Sequence, residues 1–227
     1  MWATKGQTCG SPALTEPRAA STQKRTRIQR EKEALILEAA LDVFSKYGFR
    51  GSTIDQVAKQ AGLSKPNLLY YFSSKEAIHR RLLDRLLRQW EEPLRSINPD
   101  GAAIEELRAY IRRKLDLSRN YPRESRLFAN EILQGAPRFR EELKELRQLV
   151  DETAGIVNAW IDKGSIKACD PYHLIFSIWA TTQHYADFDV QIRTVLGKRD
   201  ESRFEDAQSF LETLYLQGLV PAKRPQS

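Results

Sequence analysis

Apolar residues along the chain recur every three or four positions from about residue 30 onward, the spacing that puts side chains on one face of an α-helix. Ile36, Ala40, Val43, Phe44 and Tyr47 form the first such stripe, and Gly48 offers a helix exit with positive φ. Ile78, Leu82 and Leu86 continue the period behind Ser74, and Pro93 predicts the end of that helix because it lacks an N–H. Ile104, Leu107, Ile111 and Leu115 mark the next helix, closed by Tyr121-Pro122. A shorter one is expected over residues 124–133, before Gly135-Ala136-Pro137. Leu143, Leu146, Val150, Val157 and Trp160 stripe a long helix that should stop near Gly164. Asp170 suits an N-cap with Pro171 at the first helical position, and a last helix spans about residues 204–219. No stretch alternates with period two and no internal repeat is visible, so the expected fold class is all-α.

Composition narrows the classes. A chain of 227 residues with 41% apolar content can build a substantial core. It has no run of eighteen apolar residues for a membrane span and no apolar leader followed by small residues. Its two cysteines, Cys9 and Cys169, stand far apart, which favours a reduced, cytoplasmic protein. The net charge of +6 is unevenly placed: residues 1–85 carry +7 and the remainder −1. Phosphate binding accounts for such asymmetry, and a solubilising basic tail is the alternative. Residues 1–28 mix Gly, Ser, Thr, Pro and basic residues without periodicity and read as a disordered basic tail. Lys24, Arg25, Arg27 and Arg30 could reach a phosphate backbone or minor groove, or simply be solvated.

Residues 53–72 read TIDQVAKQAGLSKPNLLYYF. Thr53 can cap a short helix in which Ile54, Val57, Ala58 and Ala61 share a face, and Gly62 supplies the freedom a tight turn needs. Leu63 then fills the apolar space between two helices. Ser64 can cap the second helix, with Pro66 tolerated in its first turn. Two short helices joined this way form the unit that lays one helix in the DNA major groove. On the second helix, Lys65 and Asn67 suit phosphates or base edges, and Tyr70, Tyr71 and the following Lys75 suit phosphates. The DNA-facing set expected is therefore Thr53, Ser64, Lys65, Pro66, Asn67, Tyr70, Tyr71 and Lys75. Any one of them alone would read as an ordinary surface residue of a helical hairpin; their order together favours DNA.

These residues, with Ala39-Ala40, Phe44, Tyr47-Gly48-Phe49, Ala61-Gly62-Leu63-Ser64 and Ser74-Lys75-Glu76, resemble the DNA-binding domain of the TetR family over residues 35–87. The resemblance implies a three-helix helix-turn-helix domain over residues 29–75, followed by a helical effector-binding and dimerisation domain over residues 76–221. It implies a homodimeric repressor on a palindromic double-stranded operator. The family commonly has Tyr where this chain has Leu69. Leu68-Leu69-Tyr70-Tyr71-Phe72 instead matches a pyrimidine-sensing subgroup of that family, as do residues 121–137 and 173–188.

The subgroup implies uracil or thymine as effector and control of pyrimidine breakdown. Such a planar base offers a π face and an imide edge. Trp179 and Gln183, four apart on one helix face, could stack on the ring and pair with that edge. His184 follows, and Trp90, Phe128 and Glu131 on other helices could wall the same pocket. The alternatives stay open: Trp179 as core, Gln183 and His184 as dimer-interface residues, Glu131 as a salt-bridge partner. Phe204, Ala207, Phe210 (or Leu211), Leu214 and Leu219 give the last helix an apolar face for dimerisation, or for packing on its own domain. A lipophilic or cationic effector is the rival reading. An enzyme is the rival from another class. Against it, His79, His173, His184 and two cysteines make no metal cluster, no nucleophile motif is present, and no cofactor is expected.

Overall fold

The computed structural model describes residues 27–137 and 140–221, and all of its regular elements are helical. The helices are α1 (Arg27–Tyr47), α2 (Ile54–Gln60), α3 (Lys65–Tyr71), α4 (Lys75–Arg95) and α5 (Ala103–Asn120). They continue with α6 (Pro122–Leu133), α7 (Arg140–Asp162), α8 (Pro171–Asp187), α9 (Asp189–Leu196) and, after a 3-10 segment at Gly197–Ser202, α10 (Arg203–Leu219). The fold class is all-α, as the periodicity requires. Of the expected basic tail, only Arg27 and Ile28 fall among the described residues, and they begin α1. Lys24 and Arg25 lie outside them.

Two apolar cores organise the chain. The first gathers Ile36, Ala40, Val43 and Phe44 of α1 with Val57 and Ala58 of α2, Leu68 of α3, and Ile78 to Leu87 of α4. The second packs Leu94 with α5, α7, α8 and α10 through Tyr110, Ile111, Val157, Trp160, Ile178 and Leu211. Helix α4 belongs to both, so one rigid rod joins them. Helix α6 also bridges: Leu127 is buried in the first core while the helix packs along α1 and α8.

The helix ends follow local chemistry. Gly48 takes φ +69° and its N–H reaches the Phe44 carbonyl at 2.9 Å. Pro93 was expected to end α4, yet the helix runs on to Arg95. A proline in the last turn leaves only the Gln89 carbonyl without its helical donor, close to carbonyls that any helix end leaves open. Pro122 at N1 starts α6 two residues before the expected Glu124. Helix α9 has no counterpart in the periodicity because none of its residues is buried. No helix among the described residues is long and apolar enough to cross a membrane.

On α10 the expected apolar face divides. Ala207, Leu211 and Leu219 are buried in the second core and Phe204 packs against it. Phe210 and Leu214 are 62% and 52% exposed.

Candidate functional site

The first candidate surface is built on α2 and α3. Thr53 makes a reciprocal capping box: its Oγ1 accepts from the Gln56 N–H at 3.2 Å, and Gln56 Oε1 accepts from the Thr53 N–H at 2.7 Å. Gly62 takes φ +65° in the turn, and Leu63 packs against the first core. Ser64 Oγ accepts from the Asn67 N–H at 3.4 Å, with Pro66 in the first turn of α3. Leu68 is fully buried in the first core and anchors α3 beside α1 and α2, which turns Lys65, Pro66, Asn67, Leu69 and Tyr70 outward.

The aromatic pair splits its duties. Tyr70 is 74% exposed, whereas Tyr71 is half-buried against the core, its ring edge-on to Tyr70 at 5.1 Å. Lys65 reaches back to Asp55 at 2.9 Å in a solvent-exposed pair that a phosphate can readily replace. Lys75 sits differently. Its Nζ donates to the Phe49 and Ser52 carbonyls, both at 2.7 Å, and lies 4.2 Å from the Phe49 ring centroid. Two of its three N–H donors thus tie the start of α4 to the turn after α1, leaving one for a phosphate.

The second candidate is a small cavity among five helices. It is walled by Leu87 and Trp90 of α4, Lys114 of α5, Phe128 of α6, Leu146 of α7, and Trp179 and Gln183 of α8. Its volume is about 30 Å³, room for roughly two waters rather than a planar ring. Larger clefts, lined with charged side chains, open to solvent at the start of α4 and between α1, α6 and α8. The small one sets three aromatic side chains beside two polar groups, Lys114 and Gln183, the usual composition of a small-molecule site.

Trp90, Phe128, Trp179 and Gln183 therefore meet, as the sequence led one to expect. The Trp179 indole N–H donates to the buried Tyr110 hydroxyl at 2.5 Å, so the indole's one polar group is already paired. Burial pushes the Tyr110 hydroxyl pKa well up, keeping it neutral. Glu131 does not line this cavity. It is 2% exposed and its carboxylate lies 3.9 Å from His79 Nε2, at the joint of α6 with α4. His184 is also elsewhere, exposed and stacked on Phe188 at 4.7 Å. It directly follows Gln183, and consecutive helical residues point about 100° apart, which turns it off the cavity face.

Lys114 is the wall that periodicity concealed. It falls among charged residues of α5, yet it is 3% exposed, with its Nζ 5.6 Å from the Trp90 ring centroid. Burial lowers its pKa to about 7, with the negative charge of Asp187 opposing that shift. A buried amine of this kind donates hydrogen bonds to a carbonyl oxygen.

Comparison with known proteins finds family matches over two adjoining stretches of the chain. Residues 36–82 match the family "Bacterial regulatory proteins, tetR family", and residues 83–222 match "YcdC-like protein, C-terminal region". The chain is 43% identical over 211 residues to the HTH-type transcriptional regulator RutR of Escherichia coli K12, covering 92% of this chain and 100% of that protein. A TetR-like transcriptional regulator from Rhodococcus sp. RHA1 superposes with a TM-score of 0.62 at 25% identity, covering 82% and 94% of the two chains. AibR, solved with isovaleryl coenzyme A and operator DNA, shares the fold with a TM-score of 0.61 at 17% identity, covering 81% and 97%. The matched relatives are transcriptional regulators rather than enzymes, and this chain belongs to the TetR family of bacterial transcriptional regulators.

Proposed function

We propose that the protein is a cytoplasmic, homodimeric repressor that leaves its palindromic operator when a pyrimidine base, uracil or thymine, fills the cavity between α4, α5, α6, α7 and α8. The DNA-binding unit is residues 29–75 and the effector-binding and dimerisation unit residues 76–221. Helix α3 enters the major groove with Lys65, Pro66, Asn67, Leu69 and Tyr70 outermost. Thr53, Ser64, Tyr71 and the third donor of Lys75 flank it toward phosphates. The likeness to RutR supports the pyrimidine and its breakdown as the controlled process.

The observation that carries the effector reading is the convergence of Trp90, Phe128, Trp179, Gln183 and Lys114 on one enclosed space. An aromatic face stacks on the base, the Gln183 amide pairs with the imide edge, and Lys114 donates to a ring carbonyl. Because the closed cavity is too small for the ring, entry moves its walls, and binding is thereby linked to shape. For the dimer, Phe176 on α8 with Phe210 and Leu214 on α10 leave an exposed apolar face suited to a second copy.

Calorimetric titration with uracil, thymine and a hydrophobic cation tests the reading. Binding of the pyrimidines alone is expected, with a loss of at least about tenfold in Gln183→Leu, roughly the value of a buried hydrogen bond to a matched ligand edge. Equal binding of uracil by wild type and Gln183→Leu would remove Gln183 from the site.

A further inference from the structure

A chain of side-chain interactions leaves the cavity and ends on the helix-turn-helix. Gln183, a cavity wall, stands one turn before Asp187 on α8 and favours its carboxylate. Asp187 also accepts from Ser125 Oγ of α6 at 2.6 Å, and Ser125 is completely buried. Lys114, a second cavity wall, attracts Asp187 electrostatically. Arg126 does so as well, while donating to the Ala186 carbonyl at 3.2 Å. In the same first turn of α6, Arg123 faces the opposite way. Its guanidinium pairs with Glu38 of α1 at 2.6 Å and with Asp42 of α1. Asp42 in turn accepts from Gln60 Nε2 of α2 at 3.2 Å. One turn of α6 is thus bonded on one side to the cavity helix and on the other to the DNA-binding unit.

We propose that Asp187, one helical turn from Gln183 on the cavity side and bonded to Ser125 on α6, is the positioning residue that reports cavity occupancy to the helix-turn-helix. The inference rests on the reading of the cavity as the effector site. In the closed state Asp187 accepts from Ser125 on α6 and lies one helical turn from the Gln183 amide. A ligand carrying a carbonyl and an N–H draws Gln183 and Lys114 toward itself, because each occupies the space the ligand must enter. Asp187, already disfavoured as a charge by its burial, keeps only Ser125 and the neighbouring arginine. The end of α8 then resettles on α6. Arg123 moves with that turn and shifts α1, and with it α2, relative to α4. The route runs from α8 through one turn of α6 to α1 and α2, and its resettling on ligand entry supplies the second arrangement that coupling between separated sites requires.

The test separates binding from release. A duplex selected from a random pool by the wild-type protein serves as operator probe, and uracil as ligand. Calorimetry without DNA gives uracil affinity; fluorescence anisotropy gives operator affinity with and without saturating uracil. In wild type, uracil is expected to weaken operator binding within the roughly 5- to 150-fold range usual for allosteric coupling. Ser125→Ala and Asp187→Asn are expected to bind uracil within about threefold of wild type while that weakening falls below about threefold, a decoupling that mere loss of packing does not produce. Ser125→Ala removes a single hydroxyl and decides the matter should Asp187→Asn fail to fold. Release in Ser125→Ala equal to wild type would overturn the relay and leave the effector reading standing. Uracil binding weakened more than tenfold in Ser125→Ala would also overturn it, making Ser125 part of the cavity's support. Wild-type protein that binds no uracil would overturn the effector reading, and this inference with it.

Discussion

Lys114 shows most sharply how a single residue couples stability to function. Its amine is buried, with a pKa near 7 against 10.5 when solvated. Between about pH 7 and 10.5 the unfolded chain holds a proton that the native one lacks, so this residue makes stability rise with pH across that window. Below about 7 both states are protonated and the burial cost is fully present. Lys114→Met is therefore expected to raise Tm at pH 6 to 7, by about 2–4 °C for each kcal/mol relieved, with the gain shrinking toward pH 10. A Tm difference independent of pH, measured by circular dichroism, would contradict that assignment. Two further lysines differ in the same instructive way. Lys65 has only an exposed partner, so Lys65→Ala is expected to lower the salt slope of operator binding by about one with Tm unchanged. Lys75 is bonded to two carbonyls of the preceding turn, so Lys75→Ala is expected to lower Tm as well, by about 1–3 kcal/mol of stability. An unaltered melt for Lys75→Ala would mean that those bonds contribute nothing.

At the scale of elements, α3 is too short to be helical on its own account. It holds its shape through the Ser64 cap and through Leu68, which is buried in the first core where α3 packs on α1 and α2. Leu68→Ala is expected to cost about 2–5 kcal/mol and to release α3, abolishing operator binding before global unfolding in a urea titration. Coincident loss of both would show α3 and the first core to be one cooperative unit. The same elements show what sequence can reveal. Caps, turn glycines and apolar stripes are local, so α1 to α8 and α10, the turn at Gly62 and the outward face of α3 are legible from spacing. Trp179 and Gln183 share a helix face for the same reason. What spacing conceals is set by distant partners. Lys75 finds carbonyls 26 and 23 residues away, Lys114 is enclosed by α4 and α8, and Glu131 turns toward His79 rather than toward Gln183. Helix α9 escapes notice because it buries nothing. Pro93 misleads because its penalty depends on how near the helix end it stands.

For the whole molecule, the two cores are linked by α4 running through both and by α6 pinned between α8 and α1. In the proposed mechanism, a small opening of the cavity changes the setting of α3 without unfolding either core. A two-fold dimer turns that change into altered spacing between two recognition helices, which fit half-sites about 34 Å apart. Phe210→Glu combined with Leu214→Glu is expected to yield folded monomers by light scattering, with operator affinity reduced at least about a hundredfold because one half-site is lost. Dimers that persist would place the interface elsewhere. The most direct measurement is operator binding by anisotropy at several salt concentrations, with and without uracil. Salt-dependent binding that saturating uracil weakens at every salt is expected; operator affinity unmoved by uracil, in protein shown to bind the duplex, would contradict the proposed mechanism.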